Sequence, residues 1–246
     1  MFLLAAVALA AAALAAPPVR VTVVAPPAVA PGATARVAVV LEVPRGWHIY
    51  WDNPGQSGLP TDVSLTAPGL VVSAPRSPTP TRIVTDGIVN YGYTGTVGFV
   101  FDVTAPTVTE PDARVPLAAT ASWLLCHDIC VPGSADARGG LAVSAAPTRR
   151  HDPVAAYVVA LPSPFAASGG TVSLDGGALR ITLPGPGPFD VFPSQALEAA
   201  WAPTLVVTDG TLVLTSPLPA VPAGARIVLS RGPEHTGFFL DLPESK

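Results

Sequence analysis

The sequence predicts an all-β protein, built as an antiparallel sandwich followed by a second, smaller β domain. Thirty prolines and 22 glycines are spread over 246 residues. Long helices are therefore excluded, since a proline inside a helix costs about 3 kcal/mol. Hydrophobic residues make up 49% of the chain and charged residues 12%, so it can bury a sizeable core. Short valine-rich runs separated by turn residues are typical of strands in a sandwich.

The N-terminus predicts a secretory signal peptide over residues 1–15. Residues 2–16 are an unbroken apolar run. At about 1.5 Å per helical residue this run is too short to cross a bilayer core about 30 Å thick. Ala13-Leu14-Ala15 has the small-x-small pattern of a cleavage site, although no positive charge follows Met1. We expect an exported chain with no membrane span once mature; the alternatives are an apolar first strand or a retained anchor.

Residues 16–146 are predicted to form the first domain. Its strand candidates share a period-two alternation and are separated by Pro-Pro and Pro-Gly pairs. They are Val19–Val23, Thr34–Val43, Thr96–Val103 and Leu117–Leu125.

Residues 147–246 are predicted to form the second domain, after a polar linker at Ala145–Pro153. Asp152 before Pro153 is a helix-start pair, and it predicts a helix over Val154–Leu161 that Pro162 ends. The strand pattern then resumes, beginning with a hairpin around Asp175-Gly176-Gly177. Further strands are predicted at Thr204–Val207, Thr211–Leu214, Arg226–Leu229 and Gly237–Leu242.

The charge pattern argues against nucleic acid as a partner. Lysine and arginine number 13 and the acidic residues 17, which gives a net charge of −4. Lys246 is the only lysine, and the arginines form no basic stripe that could neutralise phosphates. Neither a G-x-S-x-G nucleophile motif nor a glycine-rich phosphate loop occurs.

The two cysteines, Cys126 and Cys130, are where chemistry is expected. An even cysteine count in an exported chain indicates a disulfide. A loop this short stabilises by only about 2 kcal/mol, against about 4 to 5 kcal/mol for a loop of a hundred residues. A turn through His127, Asp128 and Ile129 would place the cysteines opposite each other near the surface, within reach of a partner thiolate. A redox-active dithiol and a structural tight-turn disulfide both remain open.

A metal site is the third hypothesis for the cysteine pair. Cys126, His127 and Cys130 are soft ligands for copper or zinc, and His48, His151 or His235 could complete the set. Neighbouring residues on a strand point apart, and no second ligand motif supports this site. We expect no metal and no cofactor.

An aromatic segment, Trp47-His48-Ile49-Tyr50-Trp51, is dense for this chain. One interpretation packs alternate residues in the core and the others under a loop. The other places an exposed aromatic side chain beside the dithiol, where it would shield the sulfurs from oxidants. Core packing is favoured for Trp47, and the question stays open for Tyr50.

Three segments resemble the N-terminal periplasmic domain of the thiol-disulfide interchange protein DsbD. The match is closer to the ScsB-like, two-domain variety, in which C-x-x-x-C precedes Val-Pro. The segments are residues 46–63 (GWHIYWDNPGQSGLPTDV), 90–103 (NYGYTGTVGFVFDV) and 123–133 (WLLCHDICVPG). Residues 179–193, 218–224 and 237–239 resemble the second β domain of that variety.

The resemblance implies an immunoglobulin-like domain that acts as a thiol-disulfide oxidoreductase of the protein-disulfide reductase type in the periplasm. Cys126 and Cys130 take the catalytic roles, and the second cysteine forms the mixed disulfide with partners. From their places in the aromatic segment, the Tyr-Gly segment and the turn, we expect Tyr50, Tyr91, His127 and Asp128 to line the site. A thioredoxin-like domain or membrane thiol transporter would donate electrons, and a periplasmic disulfide protein would accept them. The alternative is a non-enzymatic binding or scaffold module, such as a copper-handling protein, whose disulfide is structural.

Two departures from the family pattern bear on this expectation. The membrane and thioredoxin-like domains lie outside these 246 residues, so the electron donor is expected to be a separate protein. Asn90 stands where family members carry a capping Phe before Tyr-Gly, so the cap is either missing or supplied by Ile88, Val89 or Tyr91.

The two cysteines are expected to differ in burial. Cys126 ends an apolar strand and should be buried, with a raised thiol pKa. Cys130 follows the turn and should lie nearer the rim, where a partner can attack it.

Overall fold

The structure is a computed structural model that describes residues 18–107, 113–144, 152–185, 187–232 and 237–243. The predicted signal peptide and most of the predicted linker fall outside these ranges, as do His151 and His235. The described chain is nearly all β, as predicted. None of its helices is long and apolar enough to cross a membrane.

The N-terminal half is a sandwich of two four-stranded sheets, with a smaller sheet beside them. The sheets have the strand orders β1-β3-β9-β6 and β2-β11-β10-β5, and the third has the order β4-β8-β7. The strands are β1 (Arg20–Val24), β2 (Ala28–Val29), β3 (Thr34–Glu42), β4 (Ile49–Gly55), β5 (Asp62–Thr66), β6 (Val71–Val72), β7 (Thr81–Thr85), β8 (Ile88–Tyr93), β9 (Thr96–Thr104), β10 (Ala113–Cys126) and β11 (Cys130–Val143). The four strands predicted here correspond to β1, β3, β9 and β10, so these predictions are confirmed, as is the immunoglobulin-like sandwich.

The core lies between the two large sheets and follows the period-two alternation of their strands. Along β10, Leu117, Ala121 and Leu125 point inward and are at most 2% exposed, whereas Thr120 and Ser122 face solvent. Phe101 of the opposite sheet packs in the same cluster. This alternation fixes which side chains of β10 lie outside the core, and Cys126 is one of them.

The C-terminal half begins with the short helix α1 (Ala155–Val159) and continues as two further four-stranded sheets. Their orders are β12-β19-β18-β15 and β13-β14-β17-β16. Short 3₁₀ helices span Phe165–Ser168 and Gln195–Ala200. The strands are β12 (Ser163–Pro164), β13 (Thr171–Asp175), β14 (Ala178–Pro184), β15 (Asp190–Pro193), β16 (Thr204–Thr208), β17 (Thr211–Pro217), β18 (Arg226–Ser230) and β19 (Phe238–Asp241). The predicted hairpin and the four later strands all occur.

The predicted helix is present but shorter than the pattern indicated. The Asp152 carboxylate accepts a hydrogen bond from the Val154 N–H at 2.9 Å, and α1 begins one residue later. Val154 and Leu161, on either side of α1, pack on the outer face of the first sheet against Val40 and its neighbours.

The two halves meet through the small sheet. The Phe192 ring of β15 packs edge-on against Trp51 and Tyr91, with centroids 6.2 and 5.2 Å apart. The buried Asn53 side chain donates from Nδ2 to the Pro193 carbonyl at 2.9 Å. The C-terminal half therefore contacts β4, the strand that also leads into the cysteine site.

Candidate functional site

The cysteines close the tip of the longest hairpin. Strands β10 and β11 pair in register along 14 residues each, and Cys126 lies opposite Cys130 as the last pair. The two form a disulfide with Cα atoms 4.2 Å apart, and His127, Asp128 and Ile129 make the turn between them. The prediction that the turn sets the cysteines opposite each other is confirmed.

Backbone pairing explains why the side chains of these two residues are close enough to bond. The N–H and C=O of Cys126 are both used by His48, with N···O distances of 2.9 Å in each direction. In an antiparallel strand both groups of one residue point to the same side, so Cys126 faces Cys130 at a non-hydrogen-bonded position. Cα atoms are closest at such positions, about 4.5 Å apart, which suits a cross-strand disulfide.

The two sulfur-bearing residues differ in exposure, as predicted. Cys126 is 1% exposed although its side chain lies on the outer face of β10, opposite to Leu125. Cys130 is exposed. His48 lies on the same face as Cys126, because directly opposite residues of an antiparallel pair share a face.

The aromatic segment divides its side chains between two faces, so both interpretations apply to different residues. Ile49 and Trp51 point into the core and are at most 4% exposed, and the partly buried Trp47 packs against the same cluster. His48 and Tyr50 alternate with them and lie on the face that carries the disulfide. Core packing for Trp47 is therefore confirmed, and Tyr50 lies beside the cysteines.

Tyr50 is the aromatic side chain that touches the exposed sulfur. Its hydroxyl lies 3.9 Å from the Cys130 Sγ, and the residue is only 2% exposed. Burial raises the pKa of this hydroxyl, and a hydrogen bond with Ser57 partly offsets the increase. The group is thus a neutral hydrogen-bond donor next to the position where negative charge would develop on sulfur.

A loop after β4 covers the Tyr50 ring. Gly58 has a φ of +105°, and a Cβ there would lie 2.4 Å from Tyr50 Cε1, so only glycine fits against the ring. Ser57, the preceding residue, donates from its N–H and its hydroxyl to Asn90 Oδ1 at 3.0 and 3.1 Å. The Val89 N–H donates to the Gln56 side chain at 2.6 Å.

Asn90, the departure from the family pattern, therefore has a structural role in this chain. It is 4% exposed and holds the loop that packs on Tyr50. This role was not predicted, because nothing in the sequence near residue 90 indicates a partner 33 residues away. The closely spaced glycines of Gly55-Gln-Ser-Gly58 were the available signal for a tight loop.

His48 is a second residue whose position beside the cysteines was not predicted from the sequence. It is 8% exposed, and its Nε2 is buried without a hydrogen-bond partner within the described part of the chain. Its ring lies edge-on to Tyr50, with centroids 5.1 Å apart. Burial lowers the pKa of His48, and the nearby His127 lowers it further when that ring is charged.

The remaining predicted site residues divide between two places. His127 and Asp128 lie at the exposed tip, where His127 Nδ1 is 3.0 Å from the Asp128 carboxylate and the imidazole packs against Trp47 at 5.7 Å. Tyr91 packs instead against Phe192, at the contact with the C-terminal half. Its assignment as a site-lining residue remains a prediction.

The metal hypothesis requires two free thiolates, since the thiolate is the ligand form of cysteine. The structure joins both sulfurs in a disulfide. Across the ranges that the structure describes, no cluster of three potential ligands from His, Cys, Asp and Glu is found.

A solved structure shares the fold of this chain. The N-terminal periplasmic domain of ScsB from Proteus mirabilis superposes with a TM-score of 0.54 at 14% identity, covering 91% of this chain and 92% of that one. BcpA, the major pilin subunit of Bacillus cereus, gives a TM-score of 0.32 at 10% identity over 92% of this chain and 64% of that one, and no argument rests on it. No curated protein matches.

A family model assigns the chain on its sequence. The model of the N-terminal part of the thiol:disulfide interchange protein DsbD matches residues 15–139, which is half of the chain and includes both cysteines. The ScsB likeness shows the same fold over nearly the whole chain. The chain therefore belongs to the family of the N-terminal domain of the thiol:disulfide interchange protein DsbD.

Proposed function

We propose that this chain relays electrons in the periplasm through the Cys126–Cys130 pair. Its electron donor is a thioredoxin-like domain or membrane thiol transporter, and its acceptor is a periplasmic protein disulfide. The observation that carries the proposal is the disulfide at a hairpin tip, with Cys130 exposed and Cys126 at 1% exposure. In this arrangement a partner thiolate can attack Cys130, whereas Cys126 is buried and out of the partner's reach.

The exchange follows from that asymmetry. A thiolate of the donor attacks the Cys130 Sγ in line with the S–S bond, and Cys126 leaves as a thiolate that then takes up a proton. A second donor thiol resolves the mixed disulfide, so the donor is oxidised and the Cys126–Cys130 pair gains two electrons. The reverse sequence on an acceptor disulfide passes those electrons on and restores the bond.

The position of the bond favours relay over a purely structural role. The long pairing of β10 with β11 and the His48 bridge to Cys126 already fix the tip. The short loop adds only about 2 kcal/mol to the free energy of unfolding. A bond that adds so little stability can be broken and remade in each cycle without loss of the fold.

We also propose the division into a redox domain, residues 16–146, and a second β-rich domain, residues 147–246. Two large apolar clusters, one mainly in each half, support it, although Phe192 and Val228 join the first cluster and a third, smaller cluster holds residues of both halves. An N-terminal signal peptide over residues 1–15 completes the proposal. We expect mass spectrometry of the exported protein to find a chain beginning near Ala16, whereas retention of Met1 in a membrane fraction would contradict export and cleavage.

The test is trapping of a mixed disulfide with a single-cysteine thioredoxin-like donor, read on non-reducing gels. Cys126→Ala should give a covalent complex through Cys130, and Cys130→Ala should give little, because the remaining sulfur is buried. A complex formed only through Cys126 would reverse the roles. Absence of a complex with either variant would refute the relay.

The reduction potential of the pair provides an independent measurement. Structural disulfides of secreted proteins lie below about −300 mV, and labile or catalytic ones are more oxidising. We expect a value above that line for Cys126–Cys130. A value well below it would indicate a structural bond.

A further inference from the structure

We propose that His48 is the general base that takes the proton from Cys126 when this cysteine resolves a mixed disulfide held on Cys130. The proposal rests on the proposed relay function and assigns the proton transfer within it. Four observations carry it: the pairing of His48 with Cys126, the shared face, the burial of both residues, and the unpartnered Nε2.

The pairing brings the imidazole within reach of the sulfur. His48 and Cys126 exchange both backbone hydrogen bonds, so their side chains lie on one face with Cβ atoms about 5 Å apart. Tyr50, the next residue on that face, packs its ring edge-on against the imidazole. The Tyr50 ring therefore limits the positions open to the imidazole on the face that carries Cys126.

Burial makes proton transfer from Cys126 a chemical requirement. Cys126 is 1% exposed, and low exposure raises the pKa of a thiol by disfavouring its charged form. The thiolate is the nucleophile, so a buried resolving thiol needs a local proton acceptor. Water has little access to this sulfur, and His48 is the titratable group paired directly with it.

The buried Nε2 of His48 has no hydrogen-bond partner among the described residues, and in the tautomer that carries its proton on Nδ1 it is an acceptor. A buried polar atom without a partner has lost its hydration with no hydrogen bond in exchange. Reduction converts Cys126 into a thiol and so creates an S–H donor on the same face. The unsatisfied atom in the oxidised state thus becomes a hydrogen-bonded base in the reduced state.

The charged and titratable groups around His48 favour its neutral, base-competent form. The Tyr50 hydroxyl is neutral, and burial together with the nearby His127 lowers the pKa of His48. Asp128 lies 3.0 Å from His127 at the exposed tip.

The Cys126 S–H gives its proton to neutral His48, and the Cys126 thiolate attacks the Cys130 Sγ of the mixed disulfide. The Cys126–Cys130 bond forms, the bond to the partner breaks, and the partner sulfur leaves as a thiolate. The imidazolium then returns its proton to that thiolate or to water. In the opposite direction the imidazolium protonates the departing Cys126.

The experiment uses reduced protein and dithiobis(nitrobenzoate), which needs no partner protein. The exposed Cys130 reacts first and releases one coloured thiolate, and attack by Cys126 on the adduct releases the second. At pH 7 a thiol of ordinary pKa, about 8.5, is only about 3% ionised, and burial makes the ionised fraction of Cys126 smaller still, so a local base that takes its proton can accelerate the second release by about 30-fold or more. We expect His48→Gln to slow the second release by about that factor at pH 7, with the first release unchanged.

The matched control is Thr120→Ala, an exposed change on the outer face of β10 that should leave the second release at the wild-type rate. The pH profile separates a base from a structural role. The rates of His48→Gln and wild type should converge above the thiol pKa, where Cys126 ionises unaided. A deficit that persists at high pH, or a second release in His48→Gln as fast as wild type at pH 7, would overturn the proposal.

Two further outcomes keep the test decisive. If His48→Gln does not fold, the wild-type profile of the second release must show an inflection at the His48 pKa measured by NMR; a single inflection in the thiol range would overturn the base. If wild-type protein releases one equivalent and stops, the pair does not exchange, and the relay function itself fails. Failure of the base alone leaves both equivalents released.

Discussion

Replacing Asn90 by alanine tests whether the loop over Tyr50 controls access to the disulfide. Asn90 Oδ1 accepts two hydrogen bonds from Ser57, and the residue is 4% exposed. Each bond contributes about 1 kcal/mol net, so the variant should lose about 2 kcal/mol in the free energy of unfolding. The loop that packs on Tyr50 through Gly58 would then be held mainly by the Gln56 contact.

The same loss should appear in the chemistry of the site. If all of it promotes local opening of the loop, about 2 kcal/mol corresponds to about a 30-fold rise in the open population. Reduction of the Cys126–Cys130 bond by dithiothreitol should accelerate by up to that factor. Urea unfolding gives the stability, and the appearance of free thiols gives the reduction rate.

The control for this experiment is Thr120→Ala. Thr120 lies on β10 and its hydroxyl donates to Asp136 at 2.8 Å, but the pair is exposed. An exposed contact of this kind changes the free energy of unfolding by no more than about 0.5 kcal/mol and should not affect reduction. An Asn90→Ala variant that behaves like Thr120→Ala in both assays would refute the argument that Asn90 holds a cover over the site.

Three further predictions concern stability. Combined Cys126→Ala and Cys130→Ala should keep the fold and lower the free energy of unfolding by about 2 kcal/mol or less, measured by urea unfolding; an unfolded double variant would instead show a structural bond. Gly58→Ala should lower the stability of the fold and speed reduction of the disulfide, because φ is +105° and the added Cβ meets the Tyr50 ring. Thermal unfolding curves by circular dichroism that match those of wild type would contradict this. The pKa of His48 is lower in the folded chain than in the unfolded chain, so the unfolded chain binds more protons near pH 6. The contribution of His48 to the free energy of unfolding should therefore be constant above pH 6.5 and decrease as the pH drops through the folded pKa. His48→Phe should flatten that dependence in urea titrations, and an unchanged slope would exclude His48 as its source.

Local sequence patterns were sufficient to predict the strands whose two faces differ in polarity. Thr34–Glu42 and Thr96–Thr104 alternate clearly and were predicted almost to the residue. Strand β11 was not predicted, because its sequence, with Pro132 and Gly133, looks like a loop. Pairing with β10 holds this segment as a strand. At Pro132 no described strand pairs with the other edge of β11, so the backbone N–H that proline lacks is not needed there.

The cysteine site was predictable in its covalent part and not in its surroundings. The short spacing of Cys126 and Cys130 and the apolar run before them were enough to predict the bond and its uneven burial. The roles of His48 and Asn90 depend on which strand lies beside Cys126 and on a loop far away in sequence. Gly133 illustrates the same limit, since a Cβ there would lie 2.6 Å from Trp123 Nε1, a constraint that only the β10–β11 pairing creates.

Because Asn53 contacts the C-terminal half, the first half loses a hydrogen bond when it is separated from the rest of the chain. Asn53 uses both ends of its amide: Nδ2 donates to Pro193, and Oδ1 accepts from the Gly55 N–H at 2.9 Å, at the start of the loop that leads to Gly58. A chain truncated after β11 would lose this anchor and bare the Trp51 ring to water. An isolated first half should therefore keep its bond but hold Tyr50 less firmly over it, so transplanting the redox unit into another protein would require a substitute for Pro193.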